Sequence, residues 1–309
     1  MSAPAMDWLA LANSLDAAGE TDRALAVLDV AVSADSSTNE ALVLKGNLLR
    51  SRGELRRAAE VFDLLGRRDP DHPYARYLAG LLNGLSPALP DVRPSPWPSP
   101  FVRLEDFLDP VRHGDLLRLV TSEQCTFEPA AVSAMGATGS ESRVDLDRRI
   151  SSRLTDIAPV ALWLRPLIAE LLQSITVRLR IAPFTVSEIE LKCNVYGDGS
   201  FFKVHSDSLN IPTRRISFVY YFHQMPKAYS GGALLIYDGD VADPTRYFTD
   251  HVTRIETLDN SIVFFPSGAY HEVTRVVSPS GRFEDARFTF SGHVHAVDGD
   301  SVVPGTSVS

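Results

Sequence analysis

From Val186 to Ala296 the chain repeats in period two, and this limits the folds open to it more than any other feature. In "VSEIELKCNVY", Ile189, Leu191, Cys193 and Val195 point one way, and Glu190, Lys192, Asn194 and Tyr196 point the other. Successive side chains of a strand leave opposite faces, so this is the pattern of a strand with two distinct sides. "RRISFVYYF", "GALLIYD", "NSIVFF", "HEVTRV" and "ARFTFSGHVHA" read as further strands, separated by turns rich in Pro, Gly, Asn and Asp. Upstream, "LEDFLDPVRHGDLLRLVTSE" predicts a short strand and an amphipathic helix, and "DIAPVALWLRPLIAELLQSITVRL" a longer helix. Short, regularly spaced strands after helices predict an α+β fold, a barrel or jelly roll buttressed by helices. Between the two helical stretches, "PAAVSAMGATGSESRVDLDRRISSR" has the small, polar composition of a mobile loop.

The first 85 residues are of another kind. Aligning "LANSLDAAGETDRALAVLD" with "LKGNLLRSRGELRRAAEVFD" sets Gly19 over Gly53, Glu20 over Glu54, Ala24 over Ala58 and Asp29 over Asp63, each at an offset of 34. Apolar residues fall at helical spacing in each unit (Trp8, Leu11 or Ala12, and Leu15), with small Ala24 and Ala58 letting paired helices approach. Leu28 and Phe62 would fill the groove between them. The stretch resembles two tetratricopeptide repeats plus a capping helix in "DPDHPYARYLAGLLNGL", over about residues 5–85. Such repeats imply a protein partner, or packing against the main domain or a second copy. Six prolines between Pro87 and Pro100 predict an extended, semi-rigid spacer. The expected organisation is helical repeats at 1–85, a linker at 86–100, a main domain at 101–297 and a disordered tail at 298–309.

Composition narrows the partners. A formal charge of −9 argues against a nucleic-acid binder held by phosphates. Two cysteines without a C-x-x-C suit a reducing compartment. The N-terminal stretch lacks the basic start and apolar core of a signal peptide. With no apolar run of about 18 residues read as a membrane span, the expectation is a cytoplasmic protein without a membrane partner.

The chemistry centres on "FFKVHSDSLN". His205 and Asp207, two apart on a strand, share a face and offer nitrogen and oxygen in one direction. "FFPSGAYHEVTRV" places His271 at the start of a strand after a tight turn. Two histidines and a carboxylate form the facial triad of non-haem Fe(II) oxygenases, with three positions open. A zinc hydrolase uses the same set and stays an alternative at this point.

The order H-x-D, H-E-V and R-F-T-F resembles the 2-oxoglutarate-dependent Fe(II) dioxygenases, and "YGDGSFFKVHSD", "ISFVYYF", "SGGALLIYD" and "HEVTRV" resemble their prolyl-4-hydroxylase branch, over roughly residues 100–297. The resemblance implies a double-stranded β-helix (jelly-roll) core and a hydroxylase using Fe(II), 2-oxoglutarate and O2. It implies His205, Asp207 and His271 as iron ligands. Arg287 would pair with the far carboxylate of 2-oxoglutarate, and Tyr196 and Tyr221 would line the co-substrate pocket. The charge-assisted, bidentate pairing of guanidinium and carboxylate agrees with that role. The interval from His271 to Arg287 is longer than usual, so Arg282 is a rival for the carboxylate. His293 stands where relatives carry a tryptophan and, with Asn194, is a candidate for substrate contact. Arg148 and Arg149 end a segment, roughly 128–150, that closes over substrate in relatives. Halogenating relatives lack the carboxylate at the position of Asp207, so the expected reaction is hydroxylation. The expected substrate is a prolyl or other amino-acid residue in a peptide, a free amino acid or another small molecule. A reading from a different class is a peptide-binding repeat module fused to an inactive barrel.

Overall fold

A computed structural model describes residues 7–34, 38–122, 125–136 and 139–297; the tail expected to be disordered lies outside them. Five helices come first, α1 (Trp8–Ala17), α2 (Thr21–Ser33), α3 (Asn39–Ser51), α4 (Leu55–Arg68) and α5 (Ala75–Leu82). Asp7 and Thr38 cap α1 and α3, each side-chain oxygen accepting from an amide three residues on. Gly19 and Gly53, one repeat period apart, take φ of +77° and +81° in the turns that end α1 and α3. That conformation is strained for residues with a Cβ. Ala24, Leu28, Ala58 and Phe62 are fully buried as their spacing requires, and Ala12 rather than Leu11 takes the inward position on α1.

The close approach of α3 and α4 depends on Gly46, where an added Cβ would lie 2.5 Å from the ring of buried Phe62. Alanine favours a helix over glycine by about 1 kcal/mol, but overpacking a core costs about 1–3 kcal/mol. Gly46→Ala is therefore expected to lower the melting temperature in a calorimetric scan, and an unchanged or higher value would refute this close packing.

Two sheets of antiparallel pairs make the second part. The larger joins β1 (Val102–Leu104), β2 (Phe127–Pro129), β6 (Ser152–Leu154), β7 (Val186–Tyr196), β9 (Arg214–Phe222), β13 (Ser261–Pro266) and β16 (Arg287–Ala296), in the order β1-β13-β9-β16-β7-β6-β2. The smaller runs β12-β11-β14-β8-β5 and comprises β5 (Arg149–Ile150), β8 (Phe201–His205), β11 (Leu234–Gly239), β12 (Tyr247–Ile255) and β14 (His271–Val273). Short β10 (Ser230–Gly231) pairs with β15 (Val276–Val277) beside them. This is a jelly roll. The odd face of β7 (Leu191, Cys193, Val195) joins a core with Phe218, Tyr220, Phe222, Phe288 and Phe290, beneath α6 (Pro110–Val120) and α7 (Ala158–Arg178). By length and composition α7 could cross a membrane, which the sequence reading did not anticipate. Here Val160, Leu164, Ile168, Leu172 and Ile175, at helical spacing, cover the sheet instead.

Two sequence expectations need correction. The segment expected to be a loop contains a hairpin of β3 (Val132–Gly136) and β4 (Gly139–Arg143), then β5 and β6, which pair with β8 and β7. Backbone pairing overrides its small, polar composition. The proline-rich linker is extended but is no free spacer. Trp97 is buried, its backbone bridges Gly239, and Ser99 donates to the Tyr237 carbonyl. The helices consequently share one core with the barrel, with Leu49 and Phe62 in the same cluster as Leu234, Ile236, Ile255 and Phe265.

Candidate metal centre and co-substrate pocket

The polar face of β7 lines a cavity of about 240 Å³ between the two sheets. Strand register assembles its walls. β16 sets Arg287 opposite Tyr196, Thr289 opposite Asn194, and Ser291 opposite Lys192. On the other side of β16, Thr289 faces Tyr221 and His293 faces Ser217. In the smaller sheet His271 lies directly opposite His205, with ring centroids 4.2 Å apart.

The donor atoms of His205, Asp207 and His271 all lie within 4.8 Å of one another. Asp207 Oδ1 is 3.5 Å from His205 Nε2, and Oδ2 is 3.4 Å from His271 Nε2. Each imidazole turns Nδ1 to a backbone carbonyl, His205 to Lys203 at 2.8 Å and His271 to Ala269 at 2.9 Å. An Nδ1–H donated in this way leaves the Nε2 lone pair free for a metal. Burial, with the neighbouring His205, pushes His271 down to about 4, so its ring is neutral at physiological pH. Burial works to raise the Asp207 carboxyl, but the facing rings of His293, His271 and His205 outweigh it and hold Asp207 well below the usual carboxylate range. Ser217 Oγ also donates to Asp207 Oδ2 at 2.7 Å, and the amides of Asp207 and Ser208 are held by the Ser267 carbonyl. Two imidazoles and one carboxylate on one side fit a ferrous ion.

Arg287 reports the second ligand. It is 1% exposed, has no acidic partner among the described residues, and its Nε has no hydrogen bond. The rings of Tyr196 and Tyr221 flank its guanidinium at 4.6 and 5.0 Å. The Tyr221 hydroxyl, pushed up to about 12 by burial and thus a neutral donor, also has no hydrogen-bond partner. A buried cation and a buried hydroxyl left open together imply an anionic group between them, because unpaired buried charge is costly. A dicarboxylate such as 2-oxoglutarate fits. Gly232 makes room for the arginine stem, since a Cβ there would lie 2.7 Å from Arg287 Cδ.

The other expected residues divide. Tyr196, Asn194, Arg149 and His293 line the cavity with Arg287, Arg148 stands exposed at its rim, and Tyr221 is fully buried against Arg287 rather than in the cavity wall. His293 is no metal ligand: its Nδ1 lies 3.6 Å from Asp207 and 3.2 Å from Ser217 Oγ, so it backs the carboxylate. Arg282 is rejected as the carboxylate partner, being exposed and paired with Asp285 and Glu284. Sequence reasoning missed Ser217 and Ser267, although a serine inside the apolar run "RRISFVYYF" was a signal. It also missed Phe202, which stacks on His205 at 3.6 Å. A second cavity adjoins the first through Ser206, Leu209 and Tyr270, with Trp97, Tyr237 and Tyr247 in its wall.

Residues 191–295, which carry His205, Asp207, His271 and Arg287, match the family model described as the 2OG-Fe(II) oxygenase superfamily. They form a 2OG-Fe(II) oxygenase domain. Its cofactors are Fe(II), 2-oxoglutarate and O2, in keeping with the His205–Asp207–His271 cluster. An uncharacterized PKHD-type hydroxylase of Synechocystis is 38% identical over 140 residues, 45% of this chain and 46% of the relative. The chain thus spans about half the length of the curated relative it matches. Among solved structures, a Pseudomonas putida prolyl-4-hydroxylase is 16% identical with a TM-score of 0.42, covering 64% of this chain and 92% of that one. A Trichoplax adhaerens prolyl hydroxylase, solved with a fragment of hypoxia inducible factor, is 15% identical with a TM-score of 0.43, covering 63% and 83%.

Proposed function

We propose that the protein is an Fe(II)- and 2-oxoglutarate-dependent hydroxylase that oxidises an unactivated C–H bond of an amino-acid-type substrate. The observation that carries this reading is the shared cavity: a three-donor metal cluster and a buried arginine with no acidic partner among the described residues open into the same space. Fe(II) with 2-oxoglutarate and O2 supplies the oxidising power, the co-substrate leaving as succinate and CO2. The chain's own residues do the rest. His205, Asp207 and His271 would hold the metal, with Ser217 orienting Asp207 and two backbone carbonyls orienting the imidazoles. Arg287, Tyr221 and Tyr196, all buried, would take the far carboxylate of the co-substrate. A zinc hydrolase needs no such arginine, and an inactive barrel would not need the intact triad.

The test is an anaerobic titration of Fe(II) and 2-oxoglutarate, followed by the visible charge-transfer band of the chelate. Wild type is expected to develop the band; zinc bound in place of iron, or no band, would sink the reading. In Arg287→Ala the 2-oxoglutarate concentration at half-saturation is expected to rise about 10- to 100-fold, since a hydrogen bond to a charged group is worth about 1.5–3 kcal/mol. An unchanged midpoint would show that another residue holds the co-substrate.

A further inference from the structure

The metal cavity carries more positive charge than its cofactors use. Five basic side chains line it (Arg148, Arg149, Lys192, Arg214 and Arg287) against one carboxylate, that of Asp207, in a protein whose formal charge is −9. Lys192 and Arg214 both pair with Glu190, the Arg214 bond being 2.7 Å. Arg287 is assigned to the co-substrate. Fe(II) and 2-oxoglutarate carry equal and opposite charges, so loading the site leaves the excess in place whichever side chains hold them.

Arg149 is the cation left over nearest the metal. Nε donates to Ser151 Oγ at 2.7 Å, and Nη2 to Asn194 Oδ1 at 2.7 Å and Tyr196 Oη at 3.3 Å. All three acceptors are neutral. Among the described residues Nη1 makes no hydrogen bond and no carboxylate approaches the group. Asn194 is oriented in turn, its Nδ2 donating to Ser291 Oγ at 2.8 Å, so its carbonyl oxygen points at the arginine. The guanidinium lies 4.8 Å over Phe202, whose ring stacks on the metal ligand His205. One edge of a fixed, half-buried guanidinium thus stands one aromatic ring from His205.

We infer that Arg149 is a specificity-determining residue that binds the carboxylate of a small substrate, so that the preferred substrate is a free amino acid rather than an internal peptide residue. This rests on the hydroxylase reading above. An internal residue of a peptide has no carboxylate for Arg149, whereas a free amino acid brings one within a few bonds of its side-chain carbons. A planar guanidinium, bidentate to carboxylate, fixes orientation as well as affinity.

The experiment uses anaerobic full-length protein loaded with Fe(II) and 2-oxoglutarate. The free L-amino acids, their α-amides and proline-containing peptides capped at both ends serve as probes, and perturbation of the chelate band is the readout. At least one free acid is expected to perturb the band at a concentration at least about tenfold below that of its amide. Arg149→Gln is expected to form the chelate band and lose this discrimination, and Arg149→Lys to recover part of it. If no band forms in wild type, the hydroxylase reading itself has failed. If the band forms, the inference is overturned by any of three results: amides or capped peptides acting as well as acids, no free acid acting at all, or Arg149→Gln losing the band, which would assign Arg149 to the co-substrate.

Discussion

Replacing Asp207 by alanine is expected to remove the chelate band and 2-oxoglutarate turnover while leaving the metal-free protein folded. The two effects have separate causes. Asp207 supplies the sole carboxylate of the cluster, and its oxygens reach toward both imidazoles at 3.5 and 3.4 Å. Without it two histidines remain, too few to hold a labile ferrous ion. In the metal-free protein the carboxylate is held by Ser217 and by the facing rings of His293, His271 and His205, which outweigh its burial, so truncation removes these contacts together with a desolvation cost. Ser217 Oγ keeps Ser267 Oγ at 2.9 Å as a partner, so truncation orphans no donor. Thermal scans should show the rise in melting temperature on adding Fe(II) and 2-oxoglutarate in wild type only, as expected when a ligand binds the native state. A variant that keeps the ligand-induced rise would remove Asp207 from the metal site. One that unfolds without ligand would make its role structural.

The site was legible in the sequence wherever a residue's role depends on strand period or on its own chemistry. His205 and Asp207 share a face by strand period, and His271 as a third ligand is what the resemblance to the dioxygenases implied. The register that sets the two histidines opposite each other across β8 and β14 belongs to the fold. Arg287 was legible as a cation at the start of a strand, but its decisive property, burial without an acid, belongs to tertiary structure. The choice between Arg287 and Arg282 therefore had to wait for the exposed pairing of Arg282 with Asp285. What the sequence hid are partners distant in the chain. Ser217 meets Asp207 across a strand crossing, and the hairpin of β3 and β4 forms in a stretch whose composition reads as loop. The linker misleads for a related reason. Proline content sets stiffness but not what the chain lies against, and Trp97 anchors this one to the barrel.

The contact least visible in the sequence carries the largest expected effect on stability. Arg50 of α3 and Asp238 of β11, 188 residues apart, form a bidentate pair at 3.0 and 2.6 Å, with side chains 1% and 2% exposed. Neither position stands out locally, since each lies in a run whose pattern is satisfied without it. Removing one member leaves the other buried and uncompensated, which costs about 3–5 kcal/mol. Arg50→Ala and Asp238→Ala are each expected to destabilise by that amount in urea melts. The double variant Arg50→Met/Asp238→Leu is expected to recover most of the loss, because an apolar pair has no charge to desolvate. Because the helices and barrel share one core, loosening this contact also bears on the metal centre. Asp238 lies two residues beyond Ile236, which pairs with His271 in the sheet. The single variants should therefore weaken the ligand-induced rise in melting temperature, and the double variant should restore it. If either single variant cost less than about 1 kcal/mol, the pair would be energetically equivalent to a surface salt bridge, and the helices would be held to the barrel by the apolar core alone.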